Sequence, residues 1–335
     1  MRNTEPIHFS EISTWLRCNY LHQLNYIEEI VPRRTAKEIA FGTLGHAAMK
    51  TLILGGSSED AEASVKAEIK KHFENDVIGS ETKDVIAIGY EALAVANRIW
   101  PRVRDKFRYK NHLVEETLQM VVDDILFQGT PDWVAEDNTG IWVIDHKFRK
   151  TFRPFKSEMV NLQMAFYQGL VLNSRGIHTQ GSRQLQIKPL LPKEPEIIKS
   201  GKVSTKDIMT DWETYAKFVE SCGQNPDDYL EMKDKLNKHV WFDIDETKVS
   251  RTTDEISNCW NRIILPAAKS ILLAKESGEE SVRCMNWSNC KNCSMFEYCT
   301  ESLKDGDTEF LLKTNYKRKS EASFVEVQFI EGTEE

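Results

Sequence analysis

No uninterrupted apolar stretch of this 335-residue chain is long enough to cross a bilayer, which excludes a helical membrane-spanning protein. The opening Met-Arg-Asn-Thr-Glu-Pro lacks the apolar core of a secretory signal, so the expected location is the cytoplasm, or a host's cytoplasm for a phage-encoded chain. Positive charge is in short supply: 44 Lys and Arg face 52 Asp and Glu, for a net charge of −8. That balance argues against a general polyanion-coating protein, which binds through many phosphate contacts, but leaves room for a local basic groove. No G-x-x-x-x-G-K-[ST] phosphate loop is present, so an NTP-driven motor of that type is excluded. Internal repeats are lacking, and low complexity is confined to the polar C-terminal end. The chain is long enough for one large domain or two smaller ones with a sizeable core. Its seven cysteines, without a secretory signal, imply a reducing compartment in which clustered thiols bind metal rather than form disulfides.

The most informative stretch runs from Gly129 to Lys147. Two β-rich apolar runs flank the turn formers Glu136-Asp137-Asn138-Thr139-Gly140, which predicts a hairpin. In its second strand the period of two puts Asp145 and Lys147 on one face and His146 on the other. Asp132 follows Gly129 and Pro131 where the preceding strand breaks, and can approach Asp145 across the pair. Two carboxylates and an amine at a strand end suit hydrolysis assisted by Mg²⁺ or Mn²⁺, with oxygen ligands for the cation and a positive group for developing charge. The acid-x-Lys pattern alone is cheap, since Glu68-x-Lys70, Glu231-x-Lys233 and Glu246-x-Lys248 also carry it. Asp145-x-Lys147 differs in closing an apolar strand after Gly-x-Pro-Asp.

Upstream, a helix is predicted from an N-cap at Ser10, with Ile12, Trp15 and Leu16 inward and Cys18 near its end. Ala40 to Met49 continues into an Ala-rich helix headed by His46. Helices are predicted over 61–73 and 84–107, the second with Ile86, Tyr90, Leu93, Ala94 and Ile99 at core spacing. Its end, from Arg102 to Lys110, is basic, which the helix macrodipole explains and a DNA-backbone contact would also suit. Residues 113–128 read as a strand bent or split near Asp123-Asp124, on which Glu115 or Glu116 could face the site. Arg149, Lys150, Arg153 and Lys156 then form a basic apron beside Lys147, and a helix over 160–172 sets Gln163 and Tyr167 one turn apart on one face. A strand over 184–190 follows, with further helices over 207–221 and 257–276; the stretch around Trp241-Phe242-Asp243 has no clear pattern. Residues 323–330 alternate like an edge strand.

The remaining signal is Cys284, Cys290, Cys293 and Cys299, four thiols within sixteen residues. As a local set they could hold a structural Zn²⁺. Cys290, Cys293 and Cys299 joined by distant Cys18 could instead hold a [4Fe–4S] cluster, leaving Cys284 spare.

Taken together, Gly129-x-Pro131-Asp132, Asp145-x-Lys147 and Gln163-x-x-x-Tyr167 resemble the core of the PD-(D/E)XK nuclease superfamily, specifically its RecB-like branch. The C-terminal cysteine pattern with Cys18 is similar to AddB-type helicase–nucleases and CRISPR-associated iron–sulfur exonucleases. The resemblance implies an α/β fold: a restriction-endonuclease-like core with a mixed central sheet flanked by helices, helical N-terminal additions and a C-terminal iron–sulfur segment. Segment boundaries follow as 1–110 with Cys18 and His46, 111–200 for the nuclease core, 201–304 with the cysteines, and 305–335 as a tail, all in one compact unit. It further implies a metal-dependent DNA exonuclease acting in recombination, repair or processing. Asp132, Asp145, Lys147, Gln163 and Tyr167 would be catalytic, His46, Asp132, Asp145 and Glu115 would hold Mg²⁺ or Mn²⁺, and Arg149, Lys150 and Arg153 would contact DNA. Any helicase or recombination partner would be a separate chain. The competing readings are a non-catalytic DNA-binding or adaptor protein on the same fold, and an iron–sulfur redox protein.

Overall fold

The computed structural model describes residues 5–73, 77–78, 84–206, 208–237 and 244–319. The predicted edge strand at 323–330 and the Trp241–Asp243 stretch lie outside them. The described chain opens with strand β1 (Ile7–His8) and helix α1 (Phe9–Arg17). Three helices follow, α2 (Lys37–Ile53), α3 (Ser58–Phe73) and α4 (Asp84–Phe107). Next come β2 (Lys110–Val114), β3 (Leu118–Val122), β4 (Ile125–Gly129), β5 (Trp133–Asp137) and β6 (Gly140–Phe148). Helix α5 (Leu162–Arg175), β7 (Gly181–Ile187), β8 (Ile244–Ser250), α6 (Thr253–Cys259) and α7 (Leu265–Ser277) complete the core.

The central sheet has the order β8-β7-β6-β5-β2. Only β6 and β7 run parallel, joined by the crossover through α5; the other neighbours are antiparallel, so the sheet is mixed. A smaller sheet, β1-β4-β3, packs beside it. Alternation along the central strands divides the core in two. Trp133, Ala135, Trp142 and Ile144 point toward α2 and α4, whereas Val134 and Val143 point toward Phe166, Leu170 and Val171 of α5 and toward Trp260 and Ile264. This is the α/β arrangement with helices on both faces of a mixed sheet that the motifs implied.

Several local expectations are corrected. Helix α1 begins at Phe9 with His8 as its N-cap, not Ser10, because parallel pairing of Ile7 and His8 with Phe127 and Gln128 fixes the chain's entry. Leu16 is exposed, and Glu11 takes a buried position beside Ile12 instead. In α4, Ile86 and Tyr90 face solvent while Val85, Ile88, Ala92, Val95 and Ile99 are buried. Over 113–128 the split expected near Asp123-Asp124 is the turn of the β3–β4 hairpin, with φ of 50° and 61°, but the chain breaks a second time between Val114 and Leu118. The helix placed over 207–221 starts at Trp212, N-capped by Asp211. The helix placed over 257–276 starts earlier, at a Thr252/Glu255 capping box, and is interrupted by a π-helical turn at Trp260–Ile264.

Glu11 ties α1 to α7. Its carboxylate meets His22 at 2.9 Å and Lys275 at 2.8 Å. Burial opposes ionisation of this carboxyl, yet hydrogen bonds and charge from His22 and Lys275 hold it below the usual glutamate range. A depressed carboxyl stabilises the fold above its unfolded value, near pH 4.3, and that contribution is lost as pH falls through the folded value. Glu11→Gln is therefore expected to cost about 3 kcal/mol at pH 7. Urea unfolding should show this deficit shrinking toward pH 3; an equal deficit at both pH values would contradict the account.

Candidate active site

β5 and β6 pair with Trp133 opposite Ile144. One further step along this register brings Asp132, just before β5, beside Asp145. Lys147 follows on the same face, its Nζ 2.6 Å from Asp145 Oδ1. The side chains of Asp145 and His146 are almost wholly buried and Lys147 is about one quarter exposed. Burial and the adjacent Asp132 carboxylate push the Asp145 carboxyl up, against the pull of Lys147. Burial works against charge on Lys147, but Asp145 and Asp132 raise its ammonium above the usual lysine value. For Asp132 burial is overcome by His46, by its hydrogen bond with His146 and by Lys147, so its carboxyl lies well below the ordinary range.

His46 reaches this point from α2, on the other face of the sheet. Its Nδ1 lies 3.4 Å from Asp132 Oδ2, an approach possible because Asp132 precedes the strand and is open to both layers. The same oxygen accepts the His146 backbone N–H at 2.7 Å, with His146 Nδ1 at 3.7 Å. One ligand atom each from His46, Asp132 and His146 lie within 4.8 Å of one another, a set that could hold a metal ion. The His146 Nε2 is buried without a hydrogen-bond partner among the described residues. His146 is a residue that strand alternation assigned away from the carboxylates and that the bend at Asp132 brings back.

The choice between Glu115 and Glu116 is made by the backbone. Glu115, at φ 43°, turns its side chain into the cleft against Lys50 at 3.3 Å, while its N–H donates to the Asp132 carbonyl. Glu116 pairs instead with Arg175. The cleft, about 1010 Å³, is lined by Glu38, His46, Lys50, Glu115, Asp132 and Lys147. Lys50 stands one turn after His46 on α2 and was not foreseen.

From the other layer, Gln163 Nε2 donates to the Tyr167 hydroxyl at 3.2 Å, as their spacing predicts. Tyr167 is pushed up to about 12 by burial and by the Asp132 and Asp145 carboxylates, which places it over the same charges. Gly129 permits this approach: a Cβ there would meet Leu170, Phe166 and Tyr167 at 2.8–2.9 Å. Gln184 is a further group that sequence reasoning missed. It pairs with Asp145 across β6 and β7 and donates from Nε2 to Asp145 Oδ2 at 3.1 Å. The available signal was the spacing of Gln184 and Gln186 in a buried strand, where an amide needs a partner.

The basic apron is not uniform. Arg149 turns inward, bonding Gln184 at 3.1 Å and Gln186 at 3.2 Å and facing Glu158. Lys150 pairs with Glu38 at 3.0 Å, and Arg153 remains exposed. In the basic stretch that ends α4 and opens β2, Arg102 faces Asp211 and Glu213 and Lys110 faces Glu136, with both side chains exposed.

Cys18, Cys284, Cys290, Cys293 and Cys299 line one largely apolar pocket with Leu21. Burial and the neighbouring Cys18, Cys293 and Cys290 push the Cys299 thiol up, against Arg283. Cys18 Sγ accepts the Cys284 N–H at 3.3 Å. Among the described residues, no three of these sulfurs lie within 4.8 Å of one another.

Asp132, Asp145 and Lys147 thus meet where β5 begins, in a mixed sheet covered by helices on both faces. A family model of the PD-(D/E)XK nuclease superfamily matches residues 7–300, and the chain belongs to that superfamily. Its members use divalent metals. No curated protein matches the chain. Among solved structures, one from Eubacterium rectale named "Putative exonuclease" is similar with a TM-score of 0.44 and 10% identity, covering 88% of each chain. No described helix is long and apolar enough to cross a membrane.

Asp132→Asn is expected to weaken Mn²⁺ binding at least tenfold by calorimetry. Gln184→Leu, which frees the Asp145 carboxylate, should weaken it about tenfold. Unchanged affinity in both would detach these residues from any metal.

Proposed function

We propose that this chain is a metal-dependent deoxyribonuclease of the RecB-like branch that hydrolyses phosphodiester bonds from DNA ends, serving recombination, repair or DNA processing. The observation that carries the reading is the opposed pair Asp132 and Asp145 with Lys147 held on Asp145. Asp132 and His46 would hold Mg²⁺ or Mn²⁺, with Asp145, Glu115 and His146 as the further donors within the same site. The ligand atoms of His46, Asp132 and His146, within 4.8 Å of one another, fit such a cation. When bound, the ion supplies charge for the non-bridging oxygens and for the negative charge that develops as water attacks phosphorus. Lys147, held on Asp145, would position or deprotonate the attacking water and stabilise that charge. Tyr167, whose hydroxyl stays neutral, orients water or phosphate, and Gln163 fixes the Tyr167 hydroxyl.

The cysteine pocket would hold a [4Fe–4S] cluster through Cys18, Cys290, Cys293 and Cys299, bracing the chain ends. The five thiols lining one pocket are what supports a thiol-ligated group at this place. A separate helicase or recombination protein would supply unwound DNA, since the sequence holds no phosphate loop of its own.

Anaerobically purified wild type should degrade end-labelled DNA with Mg²⁺ or Mn²⁺, and Asp145→Ala should lose at least a hundredfold in rate while remaining folded. Equal degradation by both would remove the proposed centre. Cys18→Ala should lose its iron and its brown colour, whereas Cys284→Ala keeps them; the reverse result would move the cluster to the local four-cysteine set.

A further inference from the structure

Between Lys147 and Gln163, the two residues that bring β6 and α5 to the site, the chain makes an outward lobe that includes the five-residue helix Phe155–Met159. Its outer side chains are unusual for a connection in a chain of this charge. Phe155 is 53% exposed, Met159 54% and Val160 81%. Arg153 and Lys156 are exposed among them, and neither forms an ion pair among the described residues. Phe152 lies half-buried, with the Lys188 ammonium 5.1 Å from its ring centre.

The backbone beneath these side chains is firmly held. Gln186, wholly buried, grips Arg153 twice: its Oε1 accepts the Arg153 N–H at 2.6 Å and its Nε2 donates to the Arg153 carbonyl at 3.1 Å. Arg251, from the end of β8, donates to the carbonyls of Glu158 at 3.0 Å and Met159 at 3.3 Å. Asn161 Nδ2 bonds Glu158 Oε2 at 2.7 Å. Two buried polar groups thus anchor a lobe whose exterior is aromatic, apolar and cationic. Solvation alone gives no reason for rigidly presenting such a face.

We infer that Arg153–Val160 is a stacking platform for single-stranded nucleic acid, holding the strand beside the cut with an exposed base against Phe155 and phosphates at Arg153 and Lys156. Two observations choose this occupant. The lobe continues directly from the proposed catalytic residues on both sides, and its unneutralised cations complement a phosphate backbone. Aromatic faces interleaved with basic groups bind strands whose bases are unpaired, because every base offers a π-face. A duplex hides those faces, so the lobe selects substrate by strandedness. The inference rests on the nuclease reading above but fails separately from it.

The test is fluorescence anisotropy with a short labelled thymidine oligonucleotide and its abasic counterpart, in Ca²⁺ under conditions without cleavage. Wild type should prefer the base-bearing strand. Phe155→Ala should bind it about tenfold more weakly and bind the abasic strand unchanged, while Phe155→Trp keeps the preference and shows tryptophan quenching by the oligonucleotide. Arg153→Ala with Lys156→Ala should reduce the slope of log affinity against log salt by about 1.4, as for two lost phosphate contacts. Equal wild-type binding of both strands, or an undiminished preference in Phe155→Ala, would overturn the platform and leave the face to a protein partner. Cleavage by Asp145→Ala at the wild-type rate would instead overturn the nuclease centre, which the base preference does not report.

Discussion

The pairing register between Trp133–Asp137 and Gly140–Phe148 governs the site. It sets two carboxylates side by side within the sheet where β5 begins, one of them almost wholly buried, and their mutual repulsion is costly in a low-dielectric surrounding. A one-residue slip would send Asp145 and Lys147 to the α2 face and dissolve the arrangement. Large apolar partners hold the register, with Trp133 and Ile144 filling one core and Val134 and Val143 the other. The packing energy of both layers therefore stands behind the closeness of two like charges. Lys147, His46 and Gln184 each offset part of that cost from a different element.

The position of Asp132 gives the site its second layer. Standing before the strand rather than in it, this residue is reached from α2 by His46 and from β6 by the His146 backbone, while α5 covers Asp145 and Lys147 with Tyr167. Side chains from both faces of the sheet thus act on the two carboxylates. In the cysteine pocket Cys18 Sγ accepts the N–H of Cys284, from a segment more than 260 residues away.

Much of this was legible in the residues. The hairpin, the Asp145/Lys147 face, the helices α2 to α5 and the split near Asp123-Asp124 follow from periodicity and turn chemistry, which are local. The misreadings share a cause. Ser10 loses the cap to His8 because of a strand partner more than a hundred residues away, and Leu16, Ile86 and Tyr90 are exposed because helical spacing does not say which of two apolar stripes meets a neighbour. Arg149 looked like a surface cation because its partners, Gln184, Gln186 and Glu158, lie on other elements.

The sequence by itself determined the residue types of the site, their faces on β6 and α5, and the grouping of thiols near the C-terminus, because these depend on spacing along one element. Tertiary structure alone decided that Glu115 rather than Glu116 enters the cleft, that His146 rejoins Asp132 around the strand end, that Gln184 holds Asp145, and that the lobe after Lys147 is pinned with its apolar side outward. Each of those depends on a backbone turn or a hydrogen bond between elements distant in sequence, and no periodicity within a single segment encodes the distance between two segments.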